Sequence, residues 1–323
     1  MIKVFEIVAR DAPDEVRAQV AAICAGVDPA KFDVSRIDVS PGTTLRELRR
    51  LFVEGRPDVV HAHASKSGAA IRAAAKAAGV AKILYSPHGD LLATRALARL
   101  IERGAARLGE TVAASPAEAE AARRLGGRVV HVVRDAYLEN APEPLAHDDV
   151  VVGSSGRMTR ARNTDAWVLL AQRLTDSRNG VKCVWIGGGD DEATARTHLA
   201  NMNLLAKASV TGPLPADPAR EKLRGLDLFV QYSRAGAGLG SILGAMALGL
   251  PVVASDIPAH RDIVADGISG FLVDGEMSLL ERCQQLLDDE PLRRRLGAAG
   301  RDRARRDFSR ERMIAELSRL YSA

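Results

Sequence analysis

Several things are scarce in this chain, and each shortage removes a class of answer. Three cysteines (Cys24, Cys183 and Cys283) serve 323 residues, far apart and without the spacing of a zinc or redox motif. A disulfide scaffold is excluded and a reducing compartment is the simpler reading. The opening MIKVFEIVARDAPDE lacks a signal-peptide core, and no apolar run approaches a membrane span. A soluble, cytoplasmic protein is expected. Charge of one sign is lacking too: the net charge is +4 and neither half carries a strong basic surplus, so nucleic acid is a poor candidate partner. The most local shortage is of acid. From Leu228 to Ser255 there is no carboxylate, although Asp227 and Asp256 bracket the gap.

What is present is globular, at 46% hydrophobic and 27% charged residues, and long enough for two domains of ordinary size. Short β-rich runs at Val4–Val8, Phe32–Val39, Asp58–His63, Ile83–Ser86, Thr111–Ser115 and Val129–Val133 alternate with helical spacing at Asp14–Ala25, Thr43–Glu54, Gly68–Ala78, Thr94–Leu108 and Pro116–Leu125. A polar, proline-bearing stretch, Leu138–Asp149, reads as a linker. Strands resume at Val150–Ser154, Lys182–Ile186, Ala208–Thr211, Leu226–Tyr232, Pro251–Ala254 and Phe271–Val273, and two or three charged helices follow between Met277 and Ser322. Such alternation predicts α/β architecture with parallel sheets: two doubly wound domains, residues 1–145 and 146–305, with 306–323 as a terminal helix crossing back to the first. In sheets of this kind ligands sit beyond the carboxyl ends of the strands.

Four turns at such strand ends carry candidate chemistry. SSGRMTRARN (Ser154–Asn163) places Arg157 and Arg162 on a loop entering a helix near Thr164, where arginine forks and a helix N-terminus both suit phosphate. A solvated basic loop is the default for the pair taken alone. WIGGGDDEA (Trp185–Ala193) has a dinucleotide-like glycine turn with Glu192 where the third glycine belongs, and a plain turn with Asp190 or Asp191 capping the next helix explains it about as well. SRAGAGLGSILGAMALGLPVV (Ser233–Val253) has Gly236, Gly238 and Gly240, so amides of Ala237–Gly240 are placed to cradle a pyrophosphate; tight packing of the helix around Ala245–Ala247 competes evenly. YSPHGD (Tyr85–Asp90) sets His88 just past a strand, and HAHASKSG (His61–Gly68) brings Ser65 and Lys66 into a helix that Ser65 equally well caps.

Taken together these turns resemble the retaining GT-B glycosyltransferases of family 4, most strongly from Val150 onward. VVHAHASKSG and ILYSPHGD look like acceptor-side strands, VGSSGRMTRARN is similar to the "GR…K" donor loop, and PVVASDIPAHRDIVADGISGFLV and FSRERM also follow the family pattern. The resemblance implies two Rossmann-like domains facing across a cleft and sugar transfer with retention. It also implies no metal or other cofactor, and a UDP- or GDP-linked sugar as donor. The acceptor it implies is a saccharide or lipid-linked molecule of polysaccharide or glycolipid biosynthesis. On this resemblance His88, Arg157 and Arg162 are expected to take catalytic roles. Gly156, Gly187, Gly188, Gly212, Gly236, Ala237, Gly238, Leu239, Gly240, Ser241 and Gly244 are expected to line the donor, and Ser65, Lys66 and Gly89 to face the acceptor. The family's two glutamates fall on Gly236 and Gly244, and Arg134–Asp135 replaces an Asn-Gly turn. A Glu at Gly236 is expected to clash and one at Gly244 to be tolerated. Two readings remain: an active transferase with a rebuilt pocket, or a catalytically inactive relative that binds nucleotide or a partner protein. An NAD-dependent enzyme fits poorly. Leu91–Arg107, rich in leucine and arginine, is compatible with weak contact to the inner face of the membrane, although an ordinary packing helix is the commoner explanation.

Overall fold

A computed structural model describes residues 1–10, 12, 14–40, 42–63, 67–88, 96–137, 150–234 and 239–323. In chain order the first half runs β1 (Ile2–Ala9), α1 (Asp14–Gly26), β2 (Phe32–Val39), α2 (Leu45–Gly55), β3 (Val59–His63), α3 (Gly68–Ala77), β4 (Lys82–Ser86), α4 (Ala96–Ala105), β5 (Glu110–Ala113), α5 (Pro116–Arg124) and β6 (Val130–Val132). The second half runs β7 (Val150–Ser155), α6 (Thr164–Ser177), β8 (Val181–Ile186), α7 (Glu192–Asn201), β9 (Ala208–Val210), α8 (Ala216–Arg224), β10 (Leu228–Gln231), α9 (Leu239–Ala247), β11 (Val252–Ser255), α10 (Pro258–Arg261), β12 (Phe271–Val273), α11 (Glu276–Asp288), α12 (Glu290–Asp307) and α13 (Arg310–Ser322). The expected linker lies outside the described residues, as does the start of the expected Thr94–Leu108 helix.

These elements form two compact units, Met1–Leu138 with Asp307–Ala323, and Glu139–Arg306. The first contains a parallel six-stranded sheet in the order β2-β1-β3-β4-β5-β6. Its strands alternate strictly, because successive side chains leave a strand on opposite faces. Phe5, Ile7, Val60, Ala62, Ile83 and Tyr85 pack under α2 and α3 with Leu48, Phe52 and Ile71. Val4, Val59 and Leu84 face the other way, onto Ile23 of α1 and Met313, Leu317 and Tyr321 of α13. That spacing of four residues puts the three α13 side chains on one stripe. Each such buried side chain contributes roughly 1.5–3 kcal/mol, which holds the terminal helix to this unit. Ser309 starts the helix by accepting a hydrogen bond from the Arg312 amide at 3.3 Å.

The second unit's sheet is also parallel, ordered β12-β11-β10-β7-β8-β9, so the chain order reverses about β7. Its core includes Val152, Trp167, Leu174, Trp185, Leu228 and Val230, with the two tryptophan rings edge to face at 5.5 Å. The turns after β7 and β8 and the end of β10 therefore gather at one end of the sheet beside the switch point, the place where such sheets bind ligands.

Candidate functional site

At this end of the second unit's sheet, the turn after β7 lies directly on the turn after β8. The Gly156 amide donates to the Ile186 carbonyl at 2.8 Å, Trp185 Nε1 donates to the Gly156 carbonyl at 2.8 Å, and the Met158 amide donates to the Gly188 carbonyl at 3.0 Å. Gly187 has φ of +130°, and a Cβ there would run into the Gly156 carbonyl oxygen. Gly187 also bridges Gly212 at the end of β9, and its amide donates to Thr211 Oγ1 at 2.9 Å. Close packing between turns thus accounts for Gly187 before any ligand is invoked.

The two arginines of the first turn are placed differently. Arg162 donates from Nη1 to the Ser155 carbonyl at 2.7 Å and to Gln231 Oε1 at 3.3 Å, which fixes its guanidinium against the end of β7. Ser241, in the first turn of α9, donates to the same Ser155 carbonyl at 3.2 Å. Gly156, Arg162 and Ser241 are therefore brought together. Arg157 lies outside them, 70% exposed, and pairs with the equally open Asp190 at 2.8 Å. That contact corrects one expectation: Asp190 serves Arg157, and Asp191 stands at the N-terminal cap position of α7 without a side-chain capping hydrogen bond. Leu239 and Gly240 open α9 and Gly244 is buried within it. Gly236, Ala237 and Gly238 lie outside the described residues, as do Ser65, Lys66 and Gly89 in the first unit.

In the first unit the alternation that packs α13 also creates a buried polar cluster. Glu6 follows Val4 on its face of β1, His61 and His63 follow Val59 on β3, and Ser86 follows Leu84 on β4. All four are buried, and they sit near the carboxyl end of the sheet. Glu6 Oε2 lies 2.6 Å from His63 Nε2, and Glu6 Oε1 accepts from the Tyr321 hydroxyl. His61 Nδ1 is 3.0 Å from the Tyr321 hydroxyl and its Nε2 is 2.9 Å from Ser86 Oγ. His63 Nδ1 in turn meets His88 Nε2 at 2.9 Å, with the ring centres 5.2 Å apart and the ring planes inclined by 24°. His88 has φ of +50°, and its Nδ1 stands 3.9 Å from Asp135 Oδ2.

Electrostatics in the cluster follow from burial. Loss of water lowers the His88 pKa to about 4 against the opposing pull of Asp135, and lowers His63 to about 4, aided by His61 and opposed by Glu6. Burial alone would raise Glu6, but the charge and hydrogen bonds of His61 and His63 hold it well below the usual carboxylate range. Glu6, His61 and His63 also have ligand atoms within 4.8 Å of one another, a spacing a metal ion would accept. Each of those atoms already has a hydrogen-bonding neighbour, so the protein itself satisfies the cluster.

His88 was legible from its position after β4. Glu6, His63, Gln231 and Tyr321 were not singled out, although a carboxylate inside the otherwise apolar run VFEIVA was a usable signal.

A two-unit chain with parallel Rossmann-like sheets, and glycine turns gathered at the switch point of the second, belongs architecturally with the GT-B glycosyltransferases. Residues 138–303 match the family described as Glycosyl transferases group 1, and residues 5–135 match the Glycosyl transferase 4-like domain. The chain belongs to the group 1 glycosyltransferases. It is 26% identical over 307 residues to EpsD of Bacillus subtilis (strain 168), covering 86% of this chain and 80% of that one. It is 27% identical over 311 residues to the phosphatidyl-myo-inositol mannosyltransferase of Mycobacterium leprae (strain TN), covering 91% and 80%. Anabaena HepE, solved in complex with UDP and glucose, shares the fold with a TM-score of 0.81 over 100% of both chains, at 17% identity.

Proposed function

We propose that this chain moves a sugar from a UDP- or GDP-linked donor to a saccharide or lipid-linked acceptor in polysaccharide or glycolipid assembly, with retention at the anomeric carbon and without a metal ion. The observation that carries the reading is the sheet end beside β7, where Gly156, Arg162 and Ser241 converge next to the Gly187–Gly188 turn and the N-terminus of α9. Amides at a helix start and fixed guanidinium groups stabilise charge developing on a leaving diphosphate. Arg157 is suited to join them, because an exposed pair such as Arg157–Asp190 contributes little and exchanges readily for a phosphate. Retention rests on the family resemblance, and metal independence on these cations in the donor loop.

On the same reading, Gly236 and Gly244 stand where relatives carry glutamates, and the pocket handles its donor without them. A hydrogen bond to a charged group is worth roughly 1.5–3 kcal/mol, so the two absences distinguish an active enzyme from a binding-only relative only by assay. Calorimetry with a panel of nucleoside diphosphates, followed by transfer assays with the matching sugars, tests the proposal. Failure of every nucleotide to bind, or unchanged binding in Arg157→Ala with Arg162→Ala, overturns it. Nucleotide binding with no transfer to any acceptor moves the conclusion to the inactive relative.

For the acceptor we propose a peripheral, salt-sensitive contact with anionic lipid through α4. Arg99, Leu100, Ile101 and Arg103 are exposed on that helix, so it presents both apolar and cationic side chains to solvent. Among the described residues no helix is long and apolar enough to cross a membrane. Liposome flotation at low ionic strength that leaves the protein unbound removes this contact.

A further inference from the structure

The buried cluster of the first unit forms a directional chain, and one charge orders it. A carboxylate only accepts hydrogen bonds, so the 2.6 Å contact with Glu6 assigns the His63 proton to Nε2. His63 Nδ1 is then a lone pair. The 2.9 Å contact there is satisfied only if His88 donates from its own Nε2. His88 is left with an unprotonated Nδ1 at the less buried end of the chain. The other branch is consistent. Tyr321 donates its hydroxyl proton to Glu6 Oε1, so its oxygen accepts from His61 Nδ1, and Ser86 donates to His61 Nε2.

We propose that Glu6 and His63 are positioning residues that hold His88 with its proton on Nε2, so that His88 Nδ1 accepts a hydrogen bond from a hydroxyl of the sugar substrate. A ring held this way does not donate to an anionic group at Nδ1. The backbone supports the assignment: His88 is kept at φ of +50°, a conformation few non-glycine residues adopt, and its hydrogen bond to the His63 ring limits its rotation. The low pKa of both rings keeps each in a single-proton form near neutrality. Asp135, 3.9 Å from Nδ1, would take a proton only from a doubly protonated ring. The use of His88 on a sugar rests on the glycosyltransferase reading above; the tautomer does not.

Long-range ¹H–¹⁵N correlation on the full chain labelled at histidine, at pH 7.5, reads the tautomer directly, with the His88 signals identified by their loss in His88→Gln. The expected result is His88 protonated at Nε2 in the unsubstituted protein and in Tyr321→Phe, which leaves the Glu6–His63 link intact. In Glu6→Gln and His63→Gln the signals should shift to a tautomer mixture. Those two variants should also lose roughly tenfold or more in kcat, the scale of removing an outer hydrogen-bond partner, with nucleoside diphosphate Kd within about twofold. His88 protonated at Nδ1 in the unsubstituted protein overturns the proposal even if both variants fail to fold. So does a tautomer unchanged in the folded variants, or kcat unchanged alongside a shifted tautomer. If the tautomer is as expected but the unsubstituted chain neither binds nucleotide nor transfers sugar, the glycosyltransferase reading fails together with the use of His88 on a sugar, while the assignment of the protons stands.

Discussion

The guanidinium of Arg162 occupies the space that a Cβ on Gly156 would need. Gly156 sits at φ of +111°, a backbone conformation that side chains resist, and Arg162 is tied to the carbonyl of the preceding residue. Gly156→Ala is therefore expected to lower stability by about 1–3 kcal/mol, the range for strain at a special backbone position, and to weaken nucleotide binding by displacing Arg162. Arg157→Ala supplies the contrast. Its side chain is open to solvent, so the melting temperature should stay within a degree or two of the parent while nucleotide affinity falls severalfold. Differential scanning calorimetry and isothermal titration on the two variants check both halves. Equal loss of stability in the two would show that the pair is not divided in this way.

That contrast also measures what the sequence could convey. Short β-rich runs such as Phe32–Val39 and Phe271–Val273 coincide with observed strands because the strands of a covered parallel sheet are brief, largely apolar and set off by polar segments. Strand ends are equally legible, which is why the turns at Gly156, Gly187 and His88 were identifiable. The division of labour between Arg157 and Arg162 was not, since it depends on which guanidinium reaches a carbonyl 7 residues earlier in the chain. Nor was the polar cluster around Glu6. It joins β1, β3, β4 and the last helix across 315 residues of chain, and only the sheet order brings them together.

Arg72 shows the same nonlocal logic in stability. It is almost wholly buried, with its guanidinium 3.9 Å from the Tyr85 ring centre and two hydrogen bonds of 2.8 and 2.7 Å to the Glu102 carboxylate. Glu102→Ala would leave that cation buried against an aromatic face without its carboxylate, at a cost of about 3–5 kcal/mol. Replacing both partners, as Arg72→Met with Glu102→Leu, should recover most of the loss. Urea unfolding of the single and double variants is the measurement, and a double variant no more stable than Glu102→Ala would rule out the ion pair as the cause.

The histidine cluster sets a pH dependence of known sign. In the folded chain His63 and His88 titrate at about 4 instead of the ordinary 6.5, and Glu6 lies below its ordinary range. The groups facing them are His61, Asp135 and one another. Between pH 6.5 and 4 the unfolded chain thus binds more protons than the folded one, so stability rises with pH across that window. The contribution is complete above pH 6.5 and is lost as the solution is acidified toward 4, with Glu6 extending the loss further down. Urea midpoints from pH 7.5 to 4 should fall progressively, and the fall should be shallower in His88→Gln. A midpoint flat across the window would mean that the rings are not held neutral.

Gly244 offers the sharpest test of how the acid-free stretch is built. The sequence led to the expectation that a glutamate would be tolerated there, yet Gly244 lies inside α9 with Leu243, Ala245 and Met246 buried beside it. A carboxylate introduced at this point needs a polar partner, and without one its burial costs a few kcal/mol, on the order of 2 or more. Gly244→Glu should therefore melt below the parent when unliganded. On the proposed donor site, the hydroxyls of a bound ribose would supply the missing donors, so saturating nucleotide should stabilise Gly244→Glu more than it stabilises the parent. Gly244→Gln, uncharged and of the same shape, should lose less and regain less. Melting curves with and without nucleoside diphosphate for the three proteins decide the matter. If Gly244→Glu loses stability and nucleotide returns none of it, the helix has closed over the space such an acid would need, and the pocket cannot be restored by one substitution.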